Sequence, residues 1–262
     1  MKNTLSALAL SALLLPGVIS AKMTTEEIAK ASQNPLTAMY SLPIQNNTYF
    51  GDDVRNMANI QPVLPFDINE DWTLVTRTIL PVAYNGISDA IIDGDEWGLA
   101  DTTMTGFFTP KKPTESGIIW GVGPTLLIPT ATDDKLGAGE WGAGVSAVAL
   151  AMHGKWVYGA LVSNVWSFTG DNQVNAMTLQ PFVNYNLGDG LFIASVPIII
   201  AKWENDSDNR WTVPVGLGVG KAMKMGNTPF TAQIHGYYNV ERPELNDERW
   251  QMRVQVQWLF PR

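Results

Sequence analysis

From Arg249 to Trp258 the chain alternates without a break. Trp250, Met252, Val254, Val256 and Trp258 fall on one side, Arg249, Gln251, Arg253, Gln255 and Gln257 on the other, and Phe260 continues the apolar side. Successive side chains of a strand point to opposite faces, so this segment carries one apolar and one polar face. Residues 231–240 repeat the arrangement, with Thr231, Gln233, His235, Tyr237 and Asn239 opposite Ala232, Ile234, Gly236, Tyr238 and Val240. In 176–186, Met177, Leu179, Pro181, Val183 and Tyr185 oppose Thr178, Gln180, Asn184 and Asn186, with Phe182 as the exception. In 211–221, Trp211, Val213, Val215, Leu217 and Val219 oppose Thr212, Pro214 and three glycines.

Read in this way, and punctuated by clusters of Gly, Asp, Asn and Pro, the chain predicts twelve strands over 38–50, 56–66, 71–82, 98–109, 117–129, 140–152, 155–168, 175–187, 190–203, 211–222, 228–240 and 249–260. Alternation alone also fits a soluble sandwich. Length separates the two: sandwich strands run ~5 to 6 residues, whereas a tilted strand crossing a bilayer needs ~9 to 11. Aromatic residues gather at both ends of the apolar faces, at Trp156, Tyr158, Trp166, Phe168, Trp211, Trp250, Trp258 and Phe260, as interfacial girdles do. Reversing the last strand would put Arg253 into lipid at a cost of roughly 2 to 4 kcal/mol near the midplane. The reading is an all-β, transmembrane antiparallel barrel of about twelve strands.

Connection lengths give an orientation. If the last strand ends in the periplasm, the turns at 67–70, 152–155, 187–190 and 223–226 are periplasmic and short, and the connections at 83–97, 130–140, 169–175, 204–210 and 241–249 are external and longer. Together with 51–56, the external set holds 17 of the 25 acidic residues.

Composition then removes most other chemistry. The 262 residues include no cysteine and two histidines, which excludes thiol catalysis and cysteine zinc sites and leaves little for a histidine metal site. The acid clusters Asp93, Asp95 and Glu96; Asp133 and Asp134; and Glu204, Asp206 and Asp208 lack calcium-loop spacing and read as solvated loop faces. No cofactor or metal is expected. A net charge of -8 makes nucleic acid an unsuitable partner. Residues 1–21, with Lys2 ahead of an apolar stretch and Ser20 and Ala21 at its end, read as a secretory signal cut after Ala21. In the segment 22–37, Thr24 followed by Glu27 is a capping box that starts a short helix, placed either in the periplasm or in the barrel lumen. The barrel proper is 38–262.

The stretches QNPLTAMYSLPIQNNTYFG (33–51), NIQPVLPFDINEDWTLVTRTILPV (59–82), GVGPTLLIPTAT (121–132), QPFVNYNLG (180–188) and WTVPVGLGVGK (211–221) resemble the outer-membrane transporter family linked to meta-pathway phenol degradation, some members of which carry a neuromedin-U-like label. The resemblance implies a barrel in the bacterial outer membrane that passes small molecules, hydrophobic or aromatic ones included. It supplies no catalytic residues. The expected surroundings are outer-membrane lipid and lipopolysaccharide. The barrel-insertion machinery would read the terminal aromatic Phe260, here followed by Pro261 and Arg262.

The face assignment points Arg77, Asp101, Thr103, Gln180, Asn184, Gln233, His235, Gln251, Arg253, Gln255 and Gln257 into the lumen. Mixed donors and acceptors there would line a wetted path for a small-molecule solute, the role of a channel or transporter. Two alternatives stand beside it. One is a non-conducting envelope barrel, or a receptor acting through its acidic loops. The weaker one is an outer-membrane lipid hydrolase, which needs a histidine beside a serine on the lipid face, whereas His235 falls on the polar face and His153 in a turn.

Overall fold

The computed structural model describes residues 23–51, 54–84, 97–244, 246 and 248–262; the signal segment 1–21 and the acid cluster Asp93, Asp95 and Glu96 lie outside them. Twelve strands form one barrel. They are β1 (Tyr40–Phe50), β2 (Val54–Ile60 and Val63–Asp67), β3 (Trp72–Tyr84), β4 (Trp97–Leu99 and Thr102–Pro110), β5 (Ile118–Ile128), β6 (Gly142–His153), β7 (Trp156–Ser167), β8 (Asn175–Gly188), β9 (Leu191–Ser195 and Ile199–Lys202), β10 (Trp211–Met225), β11 (Thr228–Glu241) and β12 (Trp250–Phe260). The twelve expected segments recur with ends within three residues. Each strand pairs antiparallel with its sequence neighbours, and β12 closes on β1 from Tyr40↔Phe260 to Phe50↔Trp250, so the sheet has no edge.

Directly paired residues face the same side, and register therefore carries the face assignment around the wall. The series Asn47↔Arg253, Arg253↔His235, His235↔Gly218, Gly218↔Ala194, Ala194↔Asn184 and Asn184↔Val157 crosses seven strands on the inner side. Its members are buried. The outer side is apolar and bare, with Leu217 62% and Val145 59% exposed in mid-strand. Girdles flank this band: Trp72 and Trp120 pack edge to face at 6.0 Å, and Trp156 meets Tyr185 at 4.6 Å, near the short-turn end. At the other end Trp203 meets Trp211 at 5.6 Å and Tyr238 meets Trp250 at 5.0 Å.

Gly218 shows how tightly the inner surface is packed. A Cβ there would overlap the His235 ring, and one at Gly220 would overlap the Phe192 ring, so bare backbone seats two inward rings.

The interior departs from the expected uniformly polar lining. On the flank from β2 to β8, Val63, Val75, Phe107, Val148, Leu150, Val157, Leu161 and Phe182 all turn inward and form one cluster around Leu36. Phe182, the exception to alternation, is thus a core residue. The cause is the N-terminal segment. Helix α1 (Thr25–Ser32) opens with its capping box, the Glu27 N–H donating to Thr24 Oγ1 at 3.2 Å and the Thr24 N–H to Glu27 Oε2 at 2.7 Å. Ile28 and Ala29 are fully buried against Phe192, Ala194, Ala222 and Leu259, all inward residues of the short-turn half. Burying an isoleucine stabilises by roughly 1.5 to 3 kcal/mol. The Asp189 N–H donates to Glu26 Oε1 at 2.8 Å. Backbone N–H bonds from Glu26 itself and from Asp189 hold that carboxyl below its ordinary range, so the tether is ionised at neutral pH and is lost only as pH falls through the lowered value.

β9 has a weak seam. Register is the same on both sides of it, Val183↔Ser195 and Leu179↔Ile199, which sets Pro181 opposite Pro197. The bond from the Trp203 N–H to the Asn175 carbonyl at 2.8 Å marks the alternate pairs that exchange hydrogen bonds. Pro181 and Pro197 fall in that set, and neither has an N–H to give. On the other flank the Lys202 N–H to Arg210 carbonyl bond, 2.9 Å, places Ile198 and Pro214 in the bonded set, where Pro214 likewise cannot donate. Pairing stops at Val196–Ile198, and side chains take over: Ser195 Oγ donates to the Gly216 carbonyl at 2.7 Å, and Arg253 Nη1 to the Val196 carbonyl at 2.7 Å.

Two measurements check this account. Leu217→Arg, at mid-strand on the lipid side, should lower refolding stability in vesicles by about 2 to 4 kcal/mol, whereas Gln255→Glu, a charge on the inner side beside the lumen arginines, should cost less than about 1 kcal/mol. In amide hydrogen exchange, the Ile198 N–H should exchange faster than those of Phe192 and Ala194 in the paired part of the same strand.

Candidate functional site

A cavity of about 140 Å³ lies in the lumen, bounded at the short-turn side by Ser32, Gln33, Asn34 and Pro35. Of the residues expected to face inward, Arg77, Gln180, Asn184, Gln233, His235, Arg253, Gln255 and Gln257 border it. Gln45, Gln61, Val63, Leu161, Phe182, Phe192 and Val196 complete much of the wall, and no carboxylate is among the lining residues.

Arg253 organises the polar side. Its Nε donates to Asn47 Oδ1 at 2.9 Å, and Gln251 Nε2 and Gln45 Nε2 donate to the same oxygen at 3.0 and 3.3 Å. The guanidinium lies 5.0 Å from the Tyr237 ring centroid, a cation–π distance. The Tyr237 ring stacks on His235 at 5.8 Å, with its hydroxyl 3.1 Å from His235 Nδ1, and His235 Nε2 is 3.0 Å from Gln233 Oε1. Arg77 makes one bond, from Nη2 to Gln61 Oε1 at 2.6 Å. Residues 33–37 are fastened by reciprocal amide bonds between Gln33 and Asn186, 3.0 and 3.1 Å.

Three residues expected to line the lumen do not border this cavity. Asp101 sits where β4 breaks, and its carboxylate accepts from the Ala131 and Gly139 N–H groups, each at 3.1 Å, so it pins the loop 130–140 at the barrel rim. Thr103 faces inward beside Ile79 and Leu127 but does not border the cavity. Gln251 is buried behind Asn47 and supports Arg253 without reaching the cavity. Of the expected girdle aromatics, Trp156, Tyr158, Trp166, Phe168, Trp250 and Phe260 are exposed on the outer surface, and Trp211 and Trp258 are half-buried there.

The sequence reading missed Asn47, Gln45, Tyr237 and the apolar wall. Asn46, Asn47 and Thr48 are all polar, which hides which side of β1 is inward; the structure spends Asn46 and Thr48 outside, in a closed set of amide and hydroxyl bonds with Asn56. At the long-loop end, Arg55 forms a bidentate pair with Glu248 at 2.5 and 2.7 Å, and Asn239 Nδ2 donates to the Glu248 carbonyl at 2.7 Å, which holds Glu248 at the rim.

The ring nitrogens of His235 are both within hydrogen-bond distance of Gln233 and Tyr237, so its surroundings are not those of a serine–histidine pair on the lipid face. No protein-family model and no curated protein matches the chain. Solved structures do. The COG4313 outer membrane channel from Pseudomonas putida F1 superposes with a TM-score of 0.67 at 17% identity, over 86% of this chain and 97% of that one. The NanC porin superposes at 0.52 and 13% identity, over 84% and 100%. The outer membrane phospholipase A of Escherichia coli matches at 0.45 and 11%, over 90% and 98%, a likeness too slight to bear on chemistry. The closed twelve-strand wall, its apolar outer band and its aromatic girdles make this chain a membrane-spanning barrel of the bacterial outer membrane, with the fold seen in outer-membrane channels.

Proposed function

We propose that the barrel is a channel for small molecules, hydrophobic or aromatic ones included, and that residues 22–37 close it at rest. The observation that carries this reading is the lumen cavity itself. It is bounded on one side by a separate N-terminal segment rather than by the wall, so a path opens if that segment leaves. Twelve strands enclose more than the ~8 whose side chains fill a barrel and less than the ~16 of open porins. The remainder is therefore a space that a short segment can plug. The wall of the cavity mixes amides with apolar side chains, Leu161, Phe182 and Phe192 among them, which suits solutes with a ring or a hydrocarbon body.

Removal of the segment must cost little for such a channel to work. The described anchors are the Ile28 and Ala29 seat, the Leu36 contact, the Gln33–Asn186 amide pair and the Glu26 tether. Their apolar part is worth a few kcal/mol, within reach of a gating equilibrium.

Single-channel recording in planar bilayers tests the reading. Intact mature protein should show rare openings. Ile28→Glu, which forces a charge into an apolar seat, should raise open probability at least tenfold, and deletion of 22–37 should give sustained conductance. Silence from all three, with each shown to be folded by heat-modifiable migration, would favour the non-conducting envelope barrel instead.

A further inference from the structure

Among the described residues the two lumen arginines have no counter-ion. Elsewhere in the described residues Arg55 faces Glu248 and Arg262 faces Asp67, 2.9 Å apart. Arg77 and Arg253 instead contact only neutral acceptors, the Gln61 amide for one and the Asn47 amide and Val196 carbonyl for the other. Neutral dipoles orient a guanidinium without cancelling its charge. Arg253 is 2% exposed, and its Nη2 is buried with no hydrogen-bond partner, although a guanidinium carries five donors that call for acceptors. Both arginines border the same cavity. Two like charges held in a shielded interior raise each other's energy, and an anion placed between them and the free donor removes that cost.

The geometry points to a binding site for a small organic monocarboxylate whose body is a single ring or a short hydrocarbon. This rests on the channel reading and names the solute class of the same lumen. The carboxylate would take the donors of Arg77 that Gln61 leaves unused and, with a shift of the Arg253 side chain that uncovers its buried Nη2, that donor as well. The body would lie on Leu161, Phe182 and Phe192, which form the apolar wall of that cavity. A volume near 140 Å³ matches the ~150 Å³ of an engineered apolar cavity that accommodates benzene, so one ring fits and two do not.

The acidic outer loops do not reverse this preference. Their field is screened within about 8 Å at physiological ionic strength, whereas a buried pair is screened far less. The rim charges act on the approach of an anion, and the arginines on its stay in the lumen.

The experiment uses the full mature chain and benzoate as the probe, with benzamide, its neutral counterpart, and acetate, which has the charge without the ring. By calorimetry in detergent, benzoate should bind, acetate at least tenfold more weakly, and benzamide not measurably. In a KCl gradient across a planar bilayer, the reversal potential should report anion selectivity, and benzoate should block chloride current. Arg77→Gln, which gives up only the bond to Gln61, should weaken benzoate at least tenfold and shift the reversal potential towards cations. Arg253→Gln should do the same, and Arg253→Lys should restore most of the selectivity. Should Arg253→Gln fail to fold, Arg77→Gln decides alone. Benzamide binding as well as benzoate, or a reversal potential unmoved by Arg77→Gln, would overturn the site while leaving a channel. Benzoate binding that is lost in Arg77→Gln, in a barrel that never conducts, would keep the site and remove the channel.

Discussion

An unmatched peptide N–H or carbonyl in hydrocarbon costs several kcal/mol, because lipid offers nothing to bond it. That constraint accounts for closure, since β12 must return to β1 to leave no open edge. It also ties faces to register. Once the ladder is fixed, a slip of one residue would turn Leu217, Ile234 and Val254 inward and send His235 and Arg253 into lipid. The outer band thus sets the inner surface: the residues left facing the lumen are those that the lipid side excludes.

Closure of twelve strands leaves an interior that neither water nor the wall's own side chains need fill uniformly. Here the N-terminal segment occupies part of it, and the wall answers with two kinds of inner surface. Where Leu36 and α1 pack, inward positions are apolar, including Phe182, Phe192 and Leu259. The cavity lies where the two meet, bordered by amides, His235 and two arginines together with Leu161, Phe182 and Phe192. This division explains what could be read from sequence and what could not. Strands 211–222, 228–240 and 249–260 show clear alternation on the side that faces lipid, and the last two also keep a polar inner side. From 118 to 167, Val148, Leu150, Val157 and Leu161 are inward and apolar, so the two-residue period disappears although the strands are as regular as any. Asp101 was misread for a related reason: parity places it inside, but β4 breaks just there and releases its side chain to the loop. Asn47 and Tyr237 were invisible as a pair, because their meeting at Arg253 depends on the closing register between β12 and its two neighbours.

The seam in β9 is the place where the constraint is relaxed. Three prolines, Pro181, Pro197 and Pro214, withdraw donors from one patch of wall. None of the three is the ladder partner of Val196, which by register is Gly216, but pairing is lost there too and the Val196 carbonyl takes Arg253 instead. The wall defect and the lumen charge are therefore one arrangement. The arginine that borders the cavity is the same one that bonds the unpaired Val196 carbonyl.

This coupling limits how the site can change. A neutral residue at 253 would release the Val196 carbonyl, the Asn47 oxygen and the face of Tyr237 together, so its effects on stability and on the lumen field cannot be separated by that substitution alone. Arg77 has no such structural burden, since it holds only Gln61. Of the two positive charges, one is fixed by the needs of the wall and the other is free to vary with the solute. Among barrels of this build, position 77 is thus where a change of ligand charge would be accommodated first, with the 253 position kept for as long as the proline seam is kept.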